Sequence, residues 1–263
     1  MTMTYSGTTA LITGASSGLG AEFAGRFASR GANLVLVARR ADRLEELAQD
    51  LRSKHGVTVT VLPMDLGRAG VGRELLEELG NRGITVDTLI NNAGFGTHAP
   101  LVEEDPDVIA SEISLNVAAL VDITRAFLPG MLSSGQGGLV NVASTAAFQP
   151  IPGMAVYGAT KAFVLSFTEA VAHETKDSGL RVLALCPGAT RTEFFDVLGS
   201  ESAAVGKMQT SAQVVQTAIK ALDRNGTPGS VVSGWVNRVA AGFAQRLPRA
   251  VTVAIAARAV QDW

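Results

Sequence analysis

The sequence predicts an α/β fold: one domain on a doubly wound parallel sheet of about seven strands, with helices on both faces. Two observations predict it. Short runs rich in Val, Ile, Leu and Thr alternate with longer stretches of helical pattern along the 263 residues. Most of the short runs are continuously apolar, as strands covered on both faces are. Such alternation implies right-handed crossovers between neighbouring parallel strands.

Taken in order, the first strand covers residues 8–13 and runs into a glycine-rich loop. The helix at 19–30 follows, with Leu19, Phe23 and Phe27 recurring every four residues as one buried stripe. Strands are next predicted at 33–38, 58–63, 88–91, 138–143, 181–186 and 230–233. The helices between them fall at 41–54, 69–82, 106–132, 157–177 and 212–223. No Pro/Ser-rich linker or repeat interrupts the series, so residues 1–263 read as a single domain. A long segment of about 189–211 reads as a substrate loop, and about 235–263 as a C-terminal extension.

A net charge of −2 excludes a basic nucleic-acid face. The single cysteine, Cys186, lies in an apolar strand and reads as a buried, inert thiol. His55, His98 and His173 have no metal-ligand spacing, so no metal is expected. His55 and His173 read as surface residues, and His98 as a residue near the substrate mouth. There is no secretory pattern and no apolar run near the ~18 residues of a spanning helix, so a cytoplasmic location is expected. The apolar stretch 250–260 reads as a packed terminal helix, with a membrane or partner contact as the alternative.

The loop Thr13-Gly14-Ala15-Ser16-Ser17-Gly18-Leu19-Gly20 joins a strand to a helix. Glycines let a phosphate approach the backbone, and the helix N-terminus offers free N–H groups to it. The loop is thus either a pyrophosphate cradle of the Rossmann type or a bare tight turn. NAD-binding units place a carboxylate at the end of the second strand. Here that position reads Arg39-Arg40. Planar guanidiniums suit a 2′-phosphate, which favours NADP(H) over NAD(H); a solvated helix start is the other reading.

Four further signatures follow. Asn91-Asn92-Ala93-Gly94 ends the fourth strand, Asn116 lies in the next helix, Ser144 ends the fifth strand, and Tyr157 and Lys161 form a Tyr-x-x-x-Lys pair. With the glycine loop and Pro187-Gly188 through Thr192, the chain resembles the short-chain dehydrogenase/reductase family over residues 8 to about 235. The surrounding wording is similar to an NADP-preferring bacterial branch. The extension beyond Gly234 is not part of that common core.

The resemblance implies hydride transfer between NADP(H) and a carbonyl or secondary alcohol, with Tyr157 as general acid/base. Tyrosine titrates near 10 when unperturbed, so its anion needs about 1.4 kcal/mol of support per unit of lowering. The Lys161 ammonium, together with oxidised nicotinamide, is expected to supply it. The resemblance further has Lys161 bond the nicotinamide ribose, Ser144 bond the substrate oxygen, and Asn116 hold a water for proton supply. Gly14, Ser16, Ser17, Gly18, Leu19 and Gly20 would form the phosphate loop. Asp65 and Leu66 would flank the adenine, although Asp65 also suits a helix cap. Asn92, Ala93 and Gly94 would line the adenosine side. Pro187, Gly188, Thr190 and Thr192 would hold the carboxamide and phosphates, and transfer of the pro-S hydrogen is the family expectation.

Phe95, Gln149, Ile151, Met154, Phe194, Phe195, Leu198 and Met208 fall in segments that border the substrate, so an apolar small molecule is favoured. A homodimer or homotetramer is expected through the helices at 106–132 and 157–177, with Ala118, Ala119, Val164 and Phe167 on their outer faces. Two other functions remain open: a 3-oxoacyl reductase of lipid metabolism, and a non-catalytic dinucleotide sensor. The second class typically lacks the Tyr or Lys that this chain keeps.

Overall fold

A computed structural model describes residues 3–198 and 208–259. Its central sheet has seven strands, all parallel, in the order β3-β2-β1-β4-β5-β6-β9. The strands are β1 (Thr9–Thr13), β2 (Asn33–Ala38), β3 (Val59–Pro63), β4 (Thr88–Asn91), β5 (Gly138–Val142), β6 (Arg181–Cys186) and β9 (Ser230–Val232). Two very short strands, β7 (Thr190–Arg191) and β8 (Gln209–Thr210), pair apart from it.

The helices are α1 (Gly18–Ala28), α2 (Ala41–His55), α3 (Val71–Asn81), α4 (Pro106–Ile113), α5 (Leu120–Ser134), α6 (Ala155–Glu174), α7 (Phe194–Leu198), α8 (Ser211–Leu222), α9 (Trp235–Ala244) and α10 (Arg249–Ala259). Phe23 and Phe27 of α1 pack with Leu44 of α2 and Val214 and Ile219 of α8 against one sheet face. Leu75 of α3 and Ile123 and Phe127 of α5 cover the other, and Val164 and Leu165 of α6 extend that layer. The strands are continuously apolar because both faces are covered this way.

The chain reverses its order of winding between β1 and β4, where Ile12 of β1 lies between Leu36 and Ile90. The loops leaving the carboxyl ends of these two strands open a crevice, the usual ligand position of such sheets. At Gly14 (φ 64°) and Gly18 (φ 56°) the backbone takes left-handed turns that favour glycine. Gly20 is different: an added Cβ would strike the Gly14 carbonyl oxygen at 2.3 Å, so it permits α1 to lie close on β1.

Several sequence expectations need correction. The expected loop 189–211 holds β7, α7 and β8; its residues 199–207 lie outside the described residues, as do 260–263. Ala119 and Val164 are buried within the chain's own core, so they are not on an outer face. The helix at 106–132 runs to Ser134 and is interrupted by a π-type segment, Ser114–Ala119. This joined helix is long and apolar enough, by length and composition alone, to cross a membrane. Its apolar side packs on β4, α3 and α6, which makes it a core helix.

Candidate active site

The crevice at the switch point is the mouth of a cavity of about 940 Å³. Gly14, Ser16, Ser17, Gly18 and Leu19 line one end with Arg39, Arg40, Asp65, Leu66, Asn92, Ala93 and Gly94. Ser144, Tyr157, Lys161, Pro187, Gly188, Thr190 and Thr192 line the middle. Gly20 and Asn116 are not among the lining residues: the first packs helix on strand, and the second stands behind Gly94.

The phosphate-loop end is built for an anion. The N-terminus of α1 has no side-chain cap and no acidic residue in its first turn, so its N–H groups stay available. Arg40 reaches over this end. It donates to Ser16 Oγ (3.0 Å) and Ser17 Oγ (3.1 Å) and pairs with Glu193 at 2.7 Å. Arg43 joins the same carboxylate at 3.3 Å. The Arg40 hydrogen bond holds the Glu193 carboxyl below the usual range. Arg39 is exposed beside it. These residues and open N–H groups fit a dinucleotide carrying a further phosphate.

Asp65 caps no helix. Its Oδ1 accepts from the Gly67 N–H at 3.0 Å in a local turn, and Gly70 stands at the N-cap of α3 instead. Asn92 ties the two loops together, donating from Nδ2 to the Thr13 and Gly14 carbonyls at 3.0 and 3.1 Å.

At the catalytic end, helix α6 begins at Ala155, which sets Tyr157 and Lys161 one turn apart on a buried face. Lys161 Nζ lies 5.7 Å from the centre of the Tyr157 ring and donates to the Val142 carbonyl at 2.9 Å. Burial pushes this ammonium down to about 8. Ser144 ends β5 as the cap of a short 3₁₀ turn, where its Oγ accepts from the Ala146 N–H at 3.1 Å. The same hydroxyl acts on the Tyr157 phenol and favours its anion. The cap and the contact are thus one arrangement: the cap fixes the hydroxyl, and its proton stays free to donate.

Tyr157 itself runs against expectation. Burial, followed at lower weight by the charge of Glu112, pushes the phenol up to about 12 despite Ser144. The dinucleotide-free chain thus leaves the phenol above its ordinary value.

Asn116 sits in the π-type segment. Its Oδ1 accepts from Phe95 N–H (3.1 Å), while Nδ2 donates to Phe95 O (2.7 Å) and Thr160 Oγ1 (3.2 Å). The carboxamide thus clamps the loop after β4 to α6. Gly94 makes room for this: a Cβ there would come within 2.8 Å of Asn116 Oδ1 and 3.5 Å of Lys161 Nζ.

Over the phenol lies an apolar cluster. Tyr157 and Phe194 meet with ring centres 5.3 Å apart and planes tilted by 48°, and Phe194 meets Phe195 edge-on at 5.6 Å, with Ile151, Met154 and Leu198 beside them. Seven of the eight anticipated substrate-border residues line the cavity; Met208 does not. His98 also stays out of the lining, with His55 and His173 exposed as anticipated. Among the described residues no group of His, Cys, Asp or Glu is set to hold a metal. Burial pushes the Cys186 thiol up to about 12, so it is inert.

Two contributions were not foreseen. Asn237, Ala240, Ala241, Ala244 and Ala256 of the C-terminal helices roof the cavity. Glu112 is wholly buried near Tyr157 and Lys161, and burial pushes its carboxyl up to about 7.

Comparison with known proteins agrees with this geometry. Residues 8–203 match the family model described as short chain dehydrogenase. Sulfoacetaldehyde reductase 2 of Chromohalobacter salexigens is 40% identical over 70% of this chain and 73% of its own. The NADP-dependent 3-hydroxy acid dehydrogenase of Schizosaccharomyces pombe is 37% identical over 72% and 73%. A short-chain dehydrogenase from Sphingobium yanoikuyae, solved in complex with NADPH, superposes with a TM-score of 0.79. It is 37% identical and covers 91% of this chain and 93% of its own. The chain therefore belongs to the short-chain dehydrogenase/reductase family of oxidoreductases, which act on CH–OH and C=O groups.

Proposed function

We propose that this enzyme uses NADP(H) in preference to NAD(H) and reduces the carbonyl of an uncharged, largely apolar small molecule, with Tyr157 as the general acid. The observation that carries the reading is the buried Tyr157 phenol, with the Ser144 hydroxyl acting on it and Phe194 over it, at the inner end of an anion-binding crevice. Bound NADPH supplies the hydride. Every other task falls to the chain.

Ser144 donates to the carbonyl oxygen, where negative charge develops. Tyr157 then gives its proton to that oxygen. A phenol held up near 12 is fully protonated at neutral pH, which suits reduction. Lys161 orients the ribose and lends its charge, and Asn116 keeps the loop at Gly94 in register with α6. Arg39 and Arg40 take the 2′-phosphate, in support of which one neighbour was solved with NADPH. Asp65, Leu66, Asn92 and Ala93 receive the adenosine half; Pro187, Gly188, Thr190 and Thr192 receive the carboxamide end.

The substrate class follows from the lining. Its described cations are Arg39, Arg40 and Lys161, and the first two stand at the far end. Among the described residues, the wall around Tyr157 thus offers no partner for a sulfonate or a CoA phosphate, which argues against a 3-oxoacyl-CoA substrate. The test is a panel of aryl, alicyclic and long-chain ketones and aldehydes with NADPH and with NADH, followed by absorbance. Turnover of apolar carbonyls with NADPH is expected; activity confined to anionic substrates or to NADH would contradict the reading. We further propose a homo-oligomer formed through α4 to α6, in a soluble, cytoplasmic enzyme.

A further inference from the structure

Glu112 has no part in the mechanism above, yet its surroundings are unusual. It is 0% exposed. Its Oε2 lies 3.2 Å from Thr97 Oγ1, and its Oε1 has no hydrogen-bond partner. The same Thr97 hydroxyl lies 2.8 Å from Oε2 of Glu104, a half-buried residue of the turn before α4.

A hydroxyl has one proton to donate. Thr97 therefore cannot satisfy two carboxylates, and both contacts are hydrogen bonds only if one carboxyl holds a proton. Burial selects Glu112, since a bare buried carboxylate oxygen is costly and a neutral acid far less so. The row then runs in one sense: Glu112 donates to Thr97, and Thr97 donates to Glu104, which meets solvent. Burial acts on the carboxyl in the same direction, opposed by the Thr97 bond and Lys161 and assisted by Glu104.

The inner end of the row faces the chemistry. Glu112 lies one turn before Asn116, which bonds Thr160 of α6, and once ionised its charge acts on both Lys161 and Tyr157. The titratable groups around it are Glu104 on one side and these two on the other. Each carbonyl reduced consumes one proton from the phenol, and that proton must be replaced inside a buried site.

We propose that Glu112 is the inner end of a proton path, Glu112–Thr97–Glu104, that refills the Lys161–Tyr157 pair from the surface. This rests on the reading of Tyr157 as general acid. After transfer to the carbonyl oxygen, the phenolate recovers a proton from the Lys161 side. Glu112 then releases its own proton in that direction and becomes a carboxylate. Water protonates the Glu104 carboxylate, and Glu104 passes that proton to Thr97 as Thr97 gives its own hydroxyl proton to Glu112, which restores the starting row. Charge and proton count balance, and no redox step is involved. Glu112 acts through Lys161 and is a positioning and relay residue.

The test uses the full chain and two near-isosteric variants, Glu112→Gln and Thr97→Val. Infrared difference spectra of the dinucleotide-free protein at neutral pH should show a deuterium-sensitive carboxylic acid band that Glu112→Gln removes. In turnover, both variants should lose about tenfold in kcat for reduction and show a larger solvent isotope effect, with KM and NADPH affinity kept within about twofold. Absence of the band would overturn the proposal alone. So would an unchanged kcat and isotope effect in both variants, or a loss confined to Glu112→Gln. Wild-type protein that reduced no carbonyl with NADPH would refute the Tyr157 reading and take the relay with it.

Discussion

At the scale of single residues, the determining fact is that burial moves three titrating groups in directions that suit reduction. Tyr157 is held up near 12, Lys161 down near 8 and Glu112 up near 7. A phenol with a high pKa predicts a specific pH pattern. kcat/KM for carbonyl reduction should stay flat from about pH 6 to 8, because the acid is already protonated. kcat/KM for alcohol oxidation should rise by about tenfold per pH unit over the same range, because the phenolate is the minor form. The opposite pattern, flat oxidation with falling reduction, would show a phenol ionised at neutral pH. Glu112 gives a stability prediction. Its raised folded pKa means that its contribution is complete below about 4.5 and is lost as pH rises through about 7. The melting temperature of Glu112→Gln should therefore gain on wild type across that window, by the equivalent of about 1–3 kcal/mol. A constant difference from pH 4 to 8 would mean that Glu112 does not titrate there.

At the scale of elements, the phosphate loop and the segment carrying β7 and α7 are joined by Arg40, Arg43 and Glu193. A 2′-phosphate arriving at Arg40 must compete with the Glu193 carboxylate. Glu193→Gln should thus tighten NADPH binding by about fivefold, consistent with an exposed ion pair of about 1 kcal/mol, and leave NADH binding unchanged. Arg39→Asp should weaken NADPH by about 10–100-fold while sparing NADH. Fluorescence titration reads both, and equal effects on the two dinucleotides would remove these arginines from phosphate recognition. The seven strands of the sheet were legible in the sequence because burial on both faces leaves an unbroken apolar run. The pairing of β7 with β8 was not, since two residues carry no periodicity. The π-type segment was also hidden: residues 114–119 look helical in pattern, and only the clamp of Asn116 on Phe95 and Thr160 distinguishes them.

At the scale of the whole molecule, the topology brings residues from β1, β4, β5, α4 and α6 to one crevice, and the C-terminal helices close it. Tyr157, Lys161, Ser144 and the glycine loop were readable because their spacing survives in one dimension. Glu112 was not, because its burial depends on Thr97 and Glu104 from other segments, and a lone Glu in a helix looks like a surface charge. Ala240, Ala241 and Ala244 were missed likewise, since small residues declare a roof only once the helix is placed. Assembly is tested at this scale too. Phe163 is 42% exposed and stacks on Phe167, so the outer face of α6 is apolar although Val164 points inward. Phe163→Glu should shift light-scattering mass toward the monomer, whereas an unchanged oligomer would place the interface elsewhere. The claim on which all of this depends is that Tyr157 delivers the proton, and the most direct measurement is kcat/KM for NADPH-dependent ketone reduction by Tyr157→Phe. Its melting temperature and NADPH affinity should match wild type, and its kcat/KM should fall by about 10²–10⁴-fold. Full turnover by that variant would contradict the account.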